Sequence, residues 1–186
     1  MTEFLHSSVS VTHLLAALVA LLTGTYVLLS RKGTPAHRLL GWLYAGSMAV
    51  LVGTAFQIYH LFGHFGIVHW GAIGSVVTLL VGLGSVCLRN TIQSWLQWHY
   101  VGMGASLTGL YAAFAVESTY RLFPPSLFWW VTLGIANVIF GTGGWLLYRY
   151  YPDWAARIGP SSGETGIRRN ERDVNTLNPA IYPKVV

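Results

Sequence analysis

Histidine is the residue type in this chain best suited to chemistry near neutral pH, and seven occur, at positions 6, 13, 37, 60, 64, 69 and 99. Neutral imidazole ligates haem iron, copper or zinc through one ring nitrogen, and it relays protons through both. Cys87 is the single cysteine, so an internal disulfide and a cysteine-ligated cluster are both excluded, and any cofactor needs other ligands. No residues form a recognisable nucleophile–base set, which leaves hydrolase chemistry without support.

Whether the histidines act together depends on the elements that carry them. The chain has 186 residues, of which 53% are hydrophobic and 9% charged, far below the roughly 25% charge of soluble domains. With a mean hydropathy of +0.51, it belongs in a bilayer. Five stretches are long and apolar enough for a crossing of about 20 helical residues: 9–30, 36–62, 67–88, 94–117 and 127–148. Their short connections predict one compact all-α bundle of five transmembrane helices, a four-helix histidine-bearing core plus a fifth.

The first stretch has no basic residue before Arg31 and no small-residue cleavage site, so it reads as a mature helix rather than a secretory signal. Thr34 and Pro35 predict the cap and first position of the second helix after the break at Gly33. Pro124 and Pro125 stop the outer connection after the fourth. From residue 151 the composition turns polar, with glycine and proline punctuation. This divides a membrane domain, 1–150, from a cytoplasmic tail, 151–186, expected to be disordered.

Orientation follows from the basic residues. Arg31, Lys32, Arg38, Arg89, Arg149, Arg157, Arg168, Arg169, Arg172 and Lys184 fall on one side of the predicted spans, and only Arg121 on the other. That places the N-terminus outside and the C-terminus in the cytoplasm. The net charge of +5 follows from this topology and from contact with anionic lipid, and needs no nucleic acid. Aromatic belts agree: Trp42, Trp95, Trp98, Tyr148, Tyr150 and Tyr151 fall near the inner boundary, and Tyr59, Trp70, Trp129 and Trp130 near the outer one.

On alternating rods, His13 and His69 come to the outer ends of the first and third helices, and His37 and His99 to the inner starts of the second and fourth. At about 1.5 Å of rise per residue, the two levels lie roughly 20 Å apart. A b-type haem takes one axial ligand from each face, so histidines on two non-adjacent helices are what it requires. The first expectation is therefore a transmembrane b-type cytochrome, with His37 and His99 on an inner haem b and His13 and His69 on an outer one. It would take electrons from a quinol or similar donor and pass them across the bilayer, as a transmembrane oxidoreductase. Arg31, Lys32 and Arg38 stand where haem propionates would meet them, although the positive-inside pattern alone accounts for their presence.

The second expectation is a non-enzymatic membrane protein that binds or moves zinc, copper or protons through the same four histidines, with His60 and His64 as weaker additional ligands beside His6. A third is a structural or partner-binding subunit, whose histidines donate to carbonyls on neighbouring helices. Glu117 and Arg121, four apart in the favourable order, predict an ion pair at the outer end of the fourth helix. Tyr44, Gln57, Tyr100, Ser106 and Thr108 are expected to satisfy one another across the bundle. Dense helical glycines predict close helix approach or room for a flat cofactor. Association into a homo-oligomer is compatible with all three readings.

The stretches "GTPAHRLLGWLY" (33–44), "FGIVHWGAIGSVVTLLVGLG" (65–84) and "WLQWHYVGMGASLTGLYAAFAVESTYRL" (95–122) resemble a family of small bacterial predicted membrane proteins, a domain of unknown function. The similarity spans roughly 9–148 and implies a multi-pass protein of the bacterial inner membrane. It marks His37, His69, His99, Tyr100, Glu117 and Arg121 as characteristic positions, and leaves His60 and His64 outside the pattern. Many members look as though they carry Arg where this chain has smaller residues after Met103. The two-level histidine plan is also similar in arrangement, without a shared motif, to four-helix di-haem cytochromes such as ascorbate-linked ferric reductases.

Overall fold

The computed structural model describes residues 8–57, 66–119 and 122–157. Among them every regular element is helical: α1 (Ser8–Leu29), α2 (Pro35–Ala55), α3 (Ile67–Cys87), α4 (Trp95–Thr119), a 3-10 turn at Pro125–Leu127, and α5 (Phe128–Arg157). Three segments are long and apolar enough to cross a membrane: Ser8–Leu29, His69–Cys87 and Pro125–Tyr151. Helices α2 and α4 carry more polar side chains, His37, Arg38, Tyr44, Ser47 and Thr54 on one and Gln97, His99, Tyr100, Ser106 and Thr108 on the other.

Local chemistry sets the ends. Thr34 caps α2, its hydroxyl accepting from the His37 amide at 3.1 Å, and Pro35 follows at the first helical position. Gly33 turns the chain before it with φ +77°, a left-handed conformation open to a residue without Cβ. Lys32 folds back so that Nζ donates to the last carbonyls of α1, Val27 O at 2.7 Å and Leu28 O at 2.5 Å. Two boundaries differ from the sequence expectation. Helix α2 ends at Ala55 rather than residue 62, because Phe56 and Gln57 tighten into a turn in which Gln57 N donates to Thr54 O. Helix α5 continues past residue 148 to Arg157, and Pro152 forfeits one amide bond without ending it.

Helix contacts run α1 to α2, α2 to α3, α3 to α4 and α4 back to α1, closing a ring in which α2 and α4 stand diagonally opposite and parallel. The ring is held by close packing and by interhelical hydrogen bonds. Small residues supply the first. Ala16, Ala17, Ala20 and Gly24 of α1 face Tyr44, Met48 and Leu51 of α2 and Leu107 and Leu110 of α4. A Cβ at Gly24 would meet the Tyr44 ring at 2.9 Å, so the glycine is the hollow that receives it. Between α3 and α4 the backbones touch: a Cβ at Gly102 would lie 2.5 Å from Gly82 N and 2.7 Å from its Cα.

Among the described residues, those up to Leu147 form one compact unit and those from Tyr148 onward belong to a second, the division falling inside α5. In the first unit α5 packs on α4, where Gly143 leaves space for Thr108 and Tyr100 donates its hydroxyl to Leu147 O at 3.2 Å. Of the second unit, residues 148–157 are helical, and Tyr148 and Tyr150 are exposed. The expected tail beyond residue 157 lies outside the described residues.

Candidate functional site: a cross-bundle histidine pair

Along α2 the inward stripe is His37, Gly41, Tyr44, Met48, Leu51 and Ala55, a spacing of three and four residues that keeps one helical face on the bundle axis. On α4 the facing stripe includes His99, Gly102, Ser106 and Leu110. Because the two helices are parallel and diagonal, residues at equal height can meet through the middle. His37 meets His99, with ring centroids 6.4 Å apart and planes inclined by 74°. Seven residues further along both helices, Tyr44 OH and Ser106 Oγ share a buried hydrogen bond of 2.9 Å. One heptad therefore separates an imidazole pair from a hydroxyl pair, and both bridge α2 to α4.

The imidazoles differ in their partners. His99 Nδ1 donates to Gly82 O on α3 at 2.8 Å. That bond fixes the proton on Nδ1 and leaves the Nε2 lone pair available for a ligand. His37 is half-buried, and its Nδ1 is enclosed with no hydrogen-bond partner among the described residues. A buried ring nitrogen in that state is costly unless a water or another group meets it. On the same stripe, a Cβ added at Gly41 would meet nothing within 4 Å, so there is room one turn beyond His37.

Around the pair, Arg31 and Arg38 are exposed, whereas the Lys32 ammonium is committed to the end of α1. Desolvation there holds the Lys32 pKa below its ordinary value. Of the three cations expected beside an inner cofactor, the arginines are the two with their heads uncommitted to a helix end.

His13 and His69, at the other end of the bundle, are engaged separately. His13 Nδ1 lies 2.9 Å from Thr54 Oγ1, whose own proton goes to Val50 O or Leu51 O, so His13 is the donor. His69 is 2% exposed; its Nδ1 accepts from Gly66 N at 3.1 Å, capping the helix that it opens, and its ring lies 6.0 Å from Phe56. Accepting at Nδ1 consumes the lone pair of that nitrogen and, in the neutral ring, puts the proton on Nε2.

His6, His60, His64 and Arg121 lie outside the described residues, and with them the partner expected for Glu117. Of the polar set expected to pair across the bundle, Tyr44 and Ser106 do so. Gln57 bonds its own helix at Gly53 O, Thr108 bonds Gly104 O, and Tyr100 reaches α5. Gly82 as the acceptor for His99, and Gly41 as the open position, were not singled out by sequence. The shared interval of seven from His37 to Tyr44 and from His99 to Ser106 was the available signal. No family model, curated protein or solved structure matches the chain.

Proposed function

We propose that the chain is a five-span protein of the bacterial inner membrane, N-terminus outside, that holds one b-type haem between His37 and His99 near its cytoplasmic face and serves in electron transfer. The observation that carries this reading is the His37–His99 pair itself, two imidazoles from diagonal helices with centroids 6.4 Å apart. Imidazoles from two helices at that separation would hold one group between them, each through one ring nitrogen. A two-histidine site suits haem better than zinc. Haem iron already has four ring nitrogens and needs two more ligands, whereas zinc needs about four from the protein. Among the described residues, no cluster of three or more histidine, cysteine or acidic side chains is placed to hold a metal.

When bound, haem supplies one-electron redox chemistry at low reorganisation cost. The chain's own residues do the rest. The Gly82 carbonyl orients the His99 ring and raises its basicity. Thr34 fixes the first turn of α2, and with it the backbone of His37. Tyr44 and Ser106 hold α2 and α4 at constant separation one heptad away, and they close the hydrocarbon side of the site to water. Arg31 and Arg38 offer charge-assisted hydrogen bonds to carboxylates at the membrane face. His13 and His69 serve the outer end of the bundle through Thr54 and Gly66, and the reading assigns them no iron.

The test is a visible spectrum of purified protein before and after dithionite. A Soret band with a sharp reduced α-band is expected, abolished in both His37→Ala and His99→Ala. Colourless protein from haem-replete cells would overturn the proposal.

A further inference from the structure

Helix α5 carries a polar side chain that its own bundle does not use. Asn137 stands beside the midpoint of the apolar segment Pro125–Tyr151, and it is exposed. Its Nδ2 donates to Leu133 O of the same helix at 2.8 Å, and it makes no other hydrogen bond among the described residues. The carboxamide oxygen and the second N–H are thus presented to hydrocarbon, where an unmet polar group is costly.

The residues around it are small. At 100° per residue, Gly134, Gly141 and Gly144 fall on the face of Asn137, and a Cβ added at any of the three would meet nothing within 4 Å. The α4-facing side is different: there Gly143 leaves space for Thr108, and Leu147 receives the Tyr100 hydroxyl. Trp130, 78% exposed, continues the Asn137 stripe toward the outer end.

We propose that this face pairs with the same face of a second copy, giving a parallel dimer about an axis along the membrane normal. The chemistry of Asn137 selects that partner. A carboxamide is donor and acceptor at once, so two copies related by a two-fold axis complete each other's bonds, N–H to O and O to N–H. Every copy inserts with the same orientation, which sets both amides at one depth. The glycines on either side of Asn137 let the two backbones approach closely enough for the amides to meet. Neither the haem nor the histidines enter this inference.

Cys87, exposed and the sole cysteine, allows one fluorophore per chain. Donor- and acceptor-labelled protein is co-reconstituted in phosphatidylcholine vesicles, and energy transfer is followed as lipid is added. Transfer is expected to persist to low density in the wild type. Asn137→Leu should move the dissociation midpoint to about tenfold higher density. Gly141→Ile should act in the same direction, and Leu146→Ala, on the opposite side of α5, should leave the midpoint in place. Circular dichroism confirms that each variant keeps its helicity. Wild-type transfer that follows random dilution would overturn the proposal. A wild-type midpoint unchanged by both Asn137→Leu and Gly141→Ile would do the same.

Discussion

His99 on α4 donates its Nδ1 proton to the carbonyl of Gly82 on α3 at 2.8 Å, beside the place where Gly102 lets those two backbones touch. The ring that faces His37 is therefore aimed by a third helix, and the aim depends on two glycines.

Replacing Gly102 by Val is expected to force α3 and α4 apart, since a Cβ there would stand 2.5 Å from Gly82 N. The cost should be about 1–3 kcal/mol, and haem retention should fall with it as His99 loses its acceptor. Gly109→Ala, whose Cβ would meet Ser75 Oγ at an ordinary 3.7 Å, should be tolerated. Unfolding in detergent, followed by circular dichroism, compares the two; equal stabilities would refute the close α3–α4 approach.

Tyr44 and Ser106 are 2% and 0% exposed, so water does not readily replace the bond once one hydroxyl is removed. A double-mutant cycle of Tyr44→Phe with Ser106→Ala should give a coupling of about 0.6 kcal/mol, and no more than about 1.7. Tyr44→Ala should cost about 3–5 kcal/mol, because it also empties the hollow at Gly24 that the ring fills. Zero coupling in the cycle would mean that the bond contributes nothing beyond packing.

Thr34→Ala removes the acceptor for the His37 amide and should destabilise α2 by about 1 kcal/mol. Because the unsupported residue is His37 itself, haem titration should show weaker binding even where the fold survives. Thr34→Ser, which keeps the acceptor, should restore it.

His69→Ala is expected to retain haem at one per chain, measured as the pyridine haemochrome. The histidine spends its Nδ1 on Gly66 N at 3.1 Å, so its loss should appear as reduced stability at the start of α3. Haem that vanished in this variant, or two haems per wild-type chain, would return His13 and His69 to the role of ligands.

Much of the fold was legible because its signals are local. The apolar runs of α1, α3 and α5 are read by hydropathy, and the Thr34–Pro35 start of α2 by its capping chemistry. The end of α2 at Ala55 was not legible, since apolar composition alone does not mark where Phe56 and Gln57 turn out of the helix. Likewise α5 runs through Pro152, where one lost amide bond is outweighed by the helix on either side.

For the histidines, the sequence by itself determined height. A rise fixed per residue puts His37 and His99 near one end of the bundle and His13 and His69 near the other, whatever the packing. Only the tertiary structure decided what each ring faces, because that depends on how far each helix is rotated about its axis and how closely its neighbours approach. Those are set by Gly24 under Tyr44 and by Gly82 against Gly102, contacts between residues far apart in the chain. Four equivalent-looking histidines thereby became a facing pair with one ring held by Gly82, a donor to Thr54, and a helix cap.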